Sequence, residues 1–452
     1  MIRGLSADQF AEILHQHLSP TSPIQSQEHL FGRERQLEQI EQALYAPGRS
    51  VFIYGDRGVG KTSLAQTVAY SHQSVTHEPV LIACAPQSSF SGLMRSAIKQ
   101  LGESKPKDST TTHKLKVGYK GLGVEAERTR HEEELSEETA TVDLNEVIAL
   151  LLETARTRRN ASSVVVIDEF DRLESDGERA CFADFIKQLG DQRVPIRFVF
   201  CGVAESLQKL LGAHGSCYRY LDGIELKTLN YDARFEIIDN AAKALGVRVD
   251  DRPRMRIAAI SDGFPHYIHR MCEQLFWQMF SDRQICETPT ATHYQQAVAL
   301  SVLRIEQHLR VTYDQAVMKD AAGYEQVLWA VADHSDLIRN TEVIYDSYRD
   351  LMNGSDEGIT PLERQTVVAR LNSLKGKGSG HILASERKGW YHFRESMMRG
   401  YVRLRAEEQG CELALDYAAS SRVQTPTWRT RSARRGNFGT KARDWQKMQY
   451  PD

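Results

Sequence analysis

No stretch of this 452-residue chain is apolar for long enough to be read as a bilayer span, which excludes an integral helical membrane protein and leaves no membrane contact expected. The first residues, Met1-Ile2-Arg3-Gly4, lack the apolar core of a secretory leader. Seven cysteines are scattered without a C-x-x-C pair; that argues against a disulfide scaffold and a zinc finger and predicts a reducing, cytoplasmic setting. A dominant charge sign is missing too. The net charge is −3, so no global field draws the chain to nucleic acid, and any such contact must be local. Nuclease, deaminase and protease motifs are absent. What remains is an ordinary globular composition, 41% apolar and 26% charged, long enough for about three domains.

One stretch organises the rest. Val51-Phe52-Ile53-Tyr54 is a short β-prone run, read as a buried strand. It leads into Gly55-Asp56-Arg57-Gly58-Val59-Gly60-Lys61-Thr62, a G-x-x-x-x-G-K-[ST] loop, and then into a helical run opening at Ser63. Gly55, Gly58 and Gly60 let the backbone turn tightly and approach an anion. Successive N–H groups and a helix N-terminus then face phosphates. Lys61 is expected to reach the β- and γ-phosphates, and the Thr62 hydroxyl a Mg²⁺ ion. The nucleotide-binding set is therefore Gly55 through Ser63, with ATP and Mg²⁺ as expected cofactors.

A second motif fits the first. Leu144, Val147, Ile148, Leu151, Leu152 and Ala155 fall on one helical face and deliver the chain to Val164-Val165-Val166-Ile167-Asp168-Glu169. A buried strand ending in two carboxylates, downstream of such a loop, predicts Asp168 as a Mg²⁺ ligand and Glu169 as the catalytic group that orients water. Further strands are expected at 79–84, 196–201 and 224–226, which with the intervening helices make an α/β pattern around a parallel sheet. Its ligand belongs at the C-terminal strand ends, where both motifs lie.

The flanks are read more coarsely. Phe10, Ile13, Leu14 and Leu18 mark an amphipathic helix, followed by a Ser/Pro/Gln linker from Ser19 to Gln27. Arg33 opens the next helix and is either a base-side contact or a surface residue. Residues 114–127 alternate as a β-hairpin with a basic and an acidic strand, and Glu132 to Glu138 is an acidic connector. His266, His269 and Cys272 are spaced by three, which suits packing in a helix better than metal ligation. Beyond residue 313, three helical patterns and a hairpin at 382–393 predict a winged helix. Its third helix is expected to start with a capping box, Thr360-Pro361-Leu362-Glu363. From Ser420 the chain is Arg-rich, with Trp428, Phe438 and Trp445 interleaved; this suits single-stranded nucleic acid, an acidic protein or a solubilising tail.

Taken together, Phe31-Gly32-Arg33-Glu34, residues 55–62, Ile167-Asp168-Glu169, Gly202 to Leu207 and Gly263-Phe264-Pro265 resemble AAA+ P-loop ATPases of the origin-recognition-like and STAND branch. That resemblance implies a five-stranded parallel core in the order 5-1-4-3-2, a helical lid and a winged helix. It divides the chain into 1–27 (N-terminal helix and linker), 28–225 (core, with 105–141 inserted), 226–312 (lid), 313–405 (winged helix) and 406–452 (C-terminal helix and basic tail). It places Arg33 near the base and Pro265 in the base pocket. It makes Arg219 a candidate arginine finger reaching a neighbour's γ-phosphate. It implies a homo-oligomer or a separate effector protein, and nucleic acid through the winged helix and residues 420–452. Two departures stand out: Cys201-Gly202 replaces the usual Asn or Thr at the end of strand four, and no Arg directly follows Gly263. Both suit a slow switch better than a motor. The resemblance therefore implies ATP hydrolysis in a switch, plausible in defence or signalling, with a DNA-acting initiator, loader or transposition regulator as the alternative.

Overall fold

The computed structural model describes residues 2, 4–20, 22–74, 77–103, 143–158, 163–213, 215, 217–318, 323–353 and 360–413. The chain divides into two compact units. One comprises Pro23–Asp56 and Gly60–Lys227; the other comprises Met1–Ser22, Arg57–Val59 and Thr228–Asp452. The expected hairpin at 114–127, the acidic connector and the basic tail lie outside the described residues.

The chain opens with α1 (Ala7–His17), which belongs to the second unit. Ser6 caps it: its hydroxyl accepts the Gln9 N–H at 3.3 Å, and Gln9 Oε1 accepts the Ser6 N–H at 3.0 Å. The helix buries Phe10, whose ring stacks on Phe280 at 4.3 Å.

The first unit is built on a sheet. Its elements run α2 (Glu34–Tyr45), β1 (Ser50–Tyr54), α3 (Lys61–His72), β2 (Val80–Ala83), α4 (Phe90–Glu103), α5 (Leu144–Thr157), β3 (Ser163–Asp168), α6 (Asp176–Asp191), β4 (Ile196–Gly202), α7 (Ala204–Ala213) and β5 (Leu221–Glu225). All four strand pairs are parallel, as the α/β pattern predicts, in the order β2-β3-β4-β1-β5 that the family resemblance implies. Strand β5 starts at Leu221, earlier than its apolar run suggests, because its ladder with β1 pairs Ser50 with Leu221. Strands buried on both faces read as continuous Val/Ile/Phe runs, and β1, β3 and β4 are of that kind. Phe52, Phe170, Phe182, Phe198 and Phe200 are fully buried and meet mostly edge to face, for example Phe170 on Phe182 at 5.2 Å. Burying each such ring is worth about 1.5–3 kcal/mol, which holds the strand ends, and the loops leaving them, in place.

The second unit continues with α8 (Tyr231–Ala244), α9 (Asp251–Ile260), α10 (Pro265–Ser281), α11 (Ala291–Leu303) and α12 (Gln307–Val317). Gly263, between α9 and α10, has φ +77°, and a Cβ there would lie 2.6 Å from the Leu229 carbonyl, so only glycine fits the turn. A C-terminal module follows: α13 (Tyr324–Ala332), β6 (Arg339–Asn340), α14 (Thr341–Asn353), α15 (Arg364–Ser373), β7 (Leu383–Ala384), β8 (Trp390–Phe393) and α16 (Ser396–Glu408). Its strands pair antiparallel in the order β6-β8-β7.

One local expectation fails here. Helix α15 starts at Arg364, with Glu363 as N-cap and no side-chain capping bond, so Thr360 and Pro361 do not cap it. A tertiary contact overrides the local signal: the Leu362 N–H donates to the Tyr348 hydroxyl at 3.3 Å, and the Tyr345 hydroxyl donates to the Leu362 carbonyl at 3.5 Å. Both bonds hold residue 362 outside the helix.

Candidate active site

The candidate site lies where β1, β3 and β4 end. The turn between β1 and α3 is made by glycines with positive φ, +82° at Gly58 and +97° at Gly60, the latter the N-cap of α3. The first N–H groups of α3 lack partners within the helix and face the loop, the usual basis of anion binding at a helix start. Lys61 lies against the loop: its Nζ donates to the carbonyls of Gly55 at 2.9 Å and Asp56 at 2.8 Å. Burial lowers the Lys61 pKa, opposed by the carboxylates of Asp171, Asp168 and Asp56.

The sheet order places β4 between β1 and β3, and α3 bridges the gap. The Thr62 hydroxyl donates to Asp168 Oδ2 at 2.6 Å. Two hard oxygen donors from the two motifs thus adjoin, a donor set that fits Mg²⁺ completed by water and phosphate oxygens. Asp168 Oδ1 accepts the Glu169 N–H at 2.8 Å. Glu169 has φ +53°, a left-handed conformation uncommon for a non-glycine residue, and its carboxylate pairs with Arg172 Nη1 at 2.8 Å. Between the two motifs, at the end of β4, sits Cys201. Its thiol, wholly buried, donates to the Lys61 carbonyl at 3.8 Å, and burial next to Asp168 pushes its pKa well up. Burial likewise pushes the Cys84 thiol, beyond β2, up to about 12, with the Asp168 charge adding to the rise. Both thiols stay protonated and unreactive.

Other predicted residues sort clearly. Arg33 is buried at the N-cap of α2, and desolvation lowers its guanidinium to about 10. The Ser63 hydroxyl accepts the Ile24 N–H at 3.2 Å. With Thr67 Oγ1 donating to the Ile24 carbonyl at 3.2 Å, this pins the linker along α3. Sequence reading took that linker for plain extended chain, since side-chain bonds 40 residues apart leave no local signal. Arg219 lies just before β5, at the end of the strands opposite the chain's own glycine loop, because the Tyr220 carbonyl accepts the N–H of Ser50, the first residue of β1, at 2.8 Å. Pro265 opens α10 in the other unit. Arg172, beside Glu169, was not singled out from sequence; an Arg three residues after an acid carries no motif.

The triplet in α10 is not drawn together. His266 Nδ1 meets the Pro20 carbonyl at 2.8 Å, while His269 and Cys272 are buried in the packed helix. Among the described residues Asp282, Cys286 and His293 do converge. However, the Thr290 N–H donates to His293 Nδ1 at 3.2 Å, so the proton sits on Nε2, which faces Asp282 at 2.8 Å. The ligating nitrogen is already protonated, and the group is a hydrogen-bonded helix cap. No helix among the described residues is long and apolar enough to cross a membrane.

A family model described as an AAA ATPase domain matches residues 29–199. No curated protein sequence matches the chain. Solved structures resemble it at low identity. The Walker-type ATPase PABY2304 of Pyrococcus abyssi is 15% identical at a TM-score of 0.49, over 85% of this chain and 99% of that one. Cdc6p of Pyrobaculum aerophilum is 15% identical at 0.41, over 88% and 98%. The Aeropyrum pernix ORC1 protein, solved in complex with DNA, is 16% identical at 0.40, over 83% and 92%. Likenesses of this degree carry no functional argument.

Proposed function

We propose that this AAA+ P-loop ATPase works as a nucleotide-driven switch that oligomerises or engages a separate effector protein, in defence or signalling. The observation that carries the reading is the Thr62–Asp168 bond, which joins a phosphate-binding loop to an acidic strand end in one pocket. Lys61 exchanges two loop carbonyls for phosphate oxygens. Thr62 and Asp168 hold Mg²⁺, which when bound neutralises phosphate charge. Glu169 orients the attacking water once it leaves Arg172. Arg33 contacts the base from its buried place at the start of α2. Pro265 lines the base pocket, and Arg219 acts on a neighbouring copy. The Cys201 position offers only a weak sulfur donor where a stronger one would sense the γ-phosphate, which favours slow turnover.

The test is a pair of variants. Lys61→Ala is expected to lose ATP binding, and Glu169→Gln to bind ATP without turning it over. Normal hydrolysis by Glu169→Gln would remove Glu169 from its role.

A DNA-acting ATPase is the second reading. It is favoured by exposed Arg364, Lys377, Arg387 and Lys388 on the C-terminal module, which we read as a winged helix. Binding of duplex DNA that weakens steeply with salt, and is lost when Lys377, Arg387 and Lys388 become Ala, would support it.

A further inference from the structure

Helix α16 carries an unusual load of buried charge. Arg399 Nε donates to Asp262 Oδ2 at 2.6 Å and its Nη2 to Oδ1 at 2.5 Å, a bidentate pair. Arg403 Nη1 donates to the same Oδ1 at 3.0 Å. Asp262 lies in the turn between α9 and α10, with φ +54°, and all three side chains are almost fully buried. The same two arginines reach the other way. Arg399 Nη1 donates to the carbonyls of His334, Ser335 and Asp336 at 3.2, 2.8 and 3.0 Å. Arg403 donates to Ala332 at 2.9 Å and His334 at 2.7 Å. Ala332 is the last residue of α13, where a helix leaves acceptors without partners, and residues 334–336 form the turn that follows it. Each arginine therefore binds the Asp262 carboxylate of the helical segment 228–303 and, at once, backbone carbonyls of the C-terminal module at or just past the end of α13.

Further along α16 the pattern repeats. Glu407 binds Arg256 of α9 through both oxygens and accepts the Tyr294 hydroxyl of α11 at 2.8 Å. At its start, the Tyr267 hydroxyl of α10 donates to the Met397 carbonyl at 2.8 Å, and the Tyr267 ring lies where a Cβ on Gly400 would be, at 2.7 Å. Parting the segment from the module would break both buried networks together and leave charges and helix carbonyls unpaired. Removing one partner of such a pair is strongly unfavourable. Sliding is blocked by the close approach of Tyr267 to Gly400.

We propose that segment 228–303 and the C-terminal module 323–413 are one cooperatively folded body, locked through α16 by the Asp262–Arg399–Arg403 and Arg256–Glu407–Tyr294 networks. On the switch reading above, a nucleotide-driven displacement of the segment then carries the module with it undiminished.

The first measurement needs no nucleotide: hydrogen exchange of the full chain, read by mass spectrometry at increasing sub-denaturing urea. The expected result is one shared opening, with one urea dependence, for amides of α10, α13 and α15. Opening of α13 and α15 at lower urea while α10 stays protected overturns the proposal. Asp262→Asn is expected to split the opening in two and speed exchange in α16 and residues 334–336 by about a hundredfold or more. If that variant does not fold, Tyr294→Phe is expected to give a smaller split. A single, unshifted opening in a folded variant overturns the role of the networks. The second measurement adds ATP and Mg²⁺. Exchange changes in α10 and in the module together support the transmission, and changes confined to α10 overturn it. Failure to bind ATP at all defeats the switch reading alone, since the urea experiment still decides the coupling.

Discussion

Lys61 and Glu169 each have a close polar neighbour, two loop carbonyls for the one and the Arg172 guanidinium for the other. Lys61 Nζ is engaged with two backbone carbonyls of its own loop. Charge-assisted bonds are worth about 1.5–3 kcal/mol each, so Lys61→Ala should weaken ATP binding by about 10- to 100-fold or more, as calorimetry would read. Glu169→Gln should keep the dissociation constant and lower kcat by about 10²- to 10⁴-fold. Arg172 holds Glu169 through a half-exposed pair. Such pairs contribute about 0.2–1 kcal/mol, so Arg172→Ala should raise kcat, by no more than about fivefold, without changing ATP affinity. A fall in kcat at unchanged affinity would show instead that Arg172 aids turnover.

Single elements carry consequences of their own. Helix α16 crosses α10 so closely that Gly400 has no room for a methyl group. Gly400→Ala should destabilise the second unit by about 1–3 kcal/mol, the range for overpacking a filled interior, measured by urea unfolding. The turn from α10 to α11 is held by Asp282, which accepts the Gln284 N–H at 3.0 Å and faces His293. These bonds lower the Asp282 carboxyl to about 2, the Gln284 N–H contributing most. A depressed carboxyl stabilises the fold above its unfolded pKa, about 3.9, and the contribution is lost as pH falls through the folded value. Asp282→Asn should therefore remove the part of the acid sensitivity between about pH 4 and pH 2, seen as a flatter stability profile there.

At the scale of the whole molecule, two units unfold separately unless something couples them. The candidate site's Lys61, Thr62, Asp168 and Glu169 all lie in the unit that holds the sheet. Saturation with ATP at a hundred times its dissociation constant should stabilise that unit by about 2.7 kcal/mol, visible as a selective rise of one thermal transition. Calorimetry with and without the nucleotide would check it. An equal rise of every transition would mean that the two units melt as one. A single two-state fit is not appropriate for a chain organised this way.

The order of the five strands came from the family resemblance, while the strands, the glycine loop and the acidic strand end were legible along the chain. Each depends on residues adjacent in sequence: an apolar run, glycines before a helix, two acids after Ile167. Helix α10 was legible only as the helix that carries His266, His269 and Cys272. The start of α15 was not, because the Tyr348 and Tyr345 hydroxyls claim Leu362 from another helix. Local pattern determined where the glycine loop, the acidic strand end and the buried strands lie, since backbone geometry and hydrophobic period act over a few residues. Tertiary structure alone decided that Ser63 holds the linker, that Arg172 holds Glu169, and that two arginines of α16 share Asp262 across 137 and 141 residues of chain. Side-chain bonds of that span are fixed by where packing brings helices, and composition and periodicity do not record it.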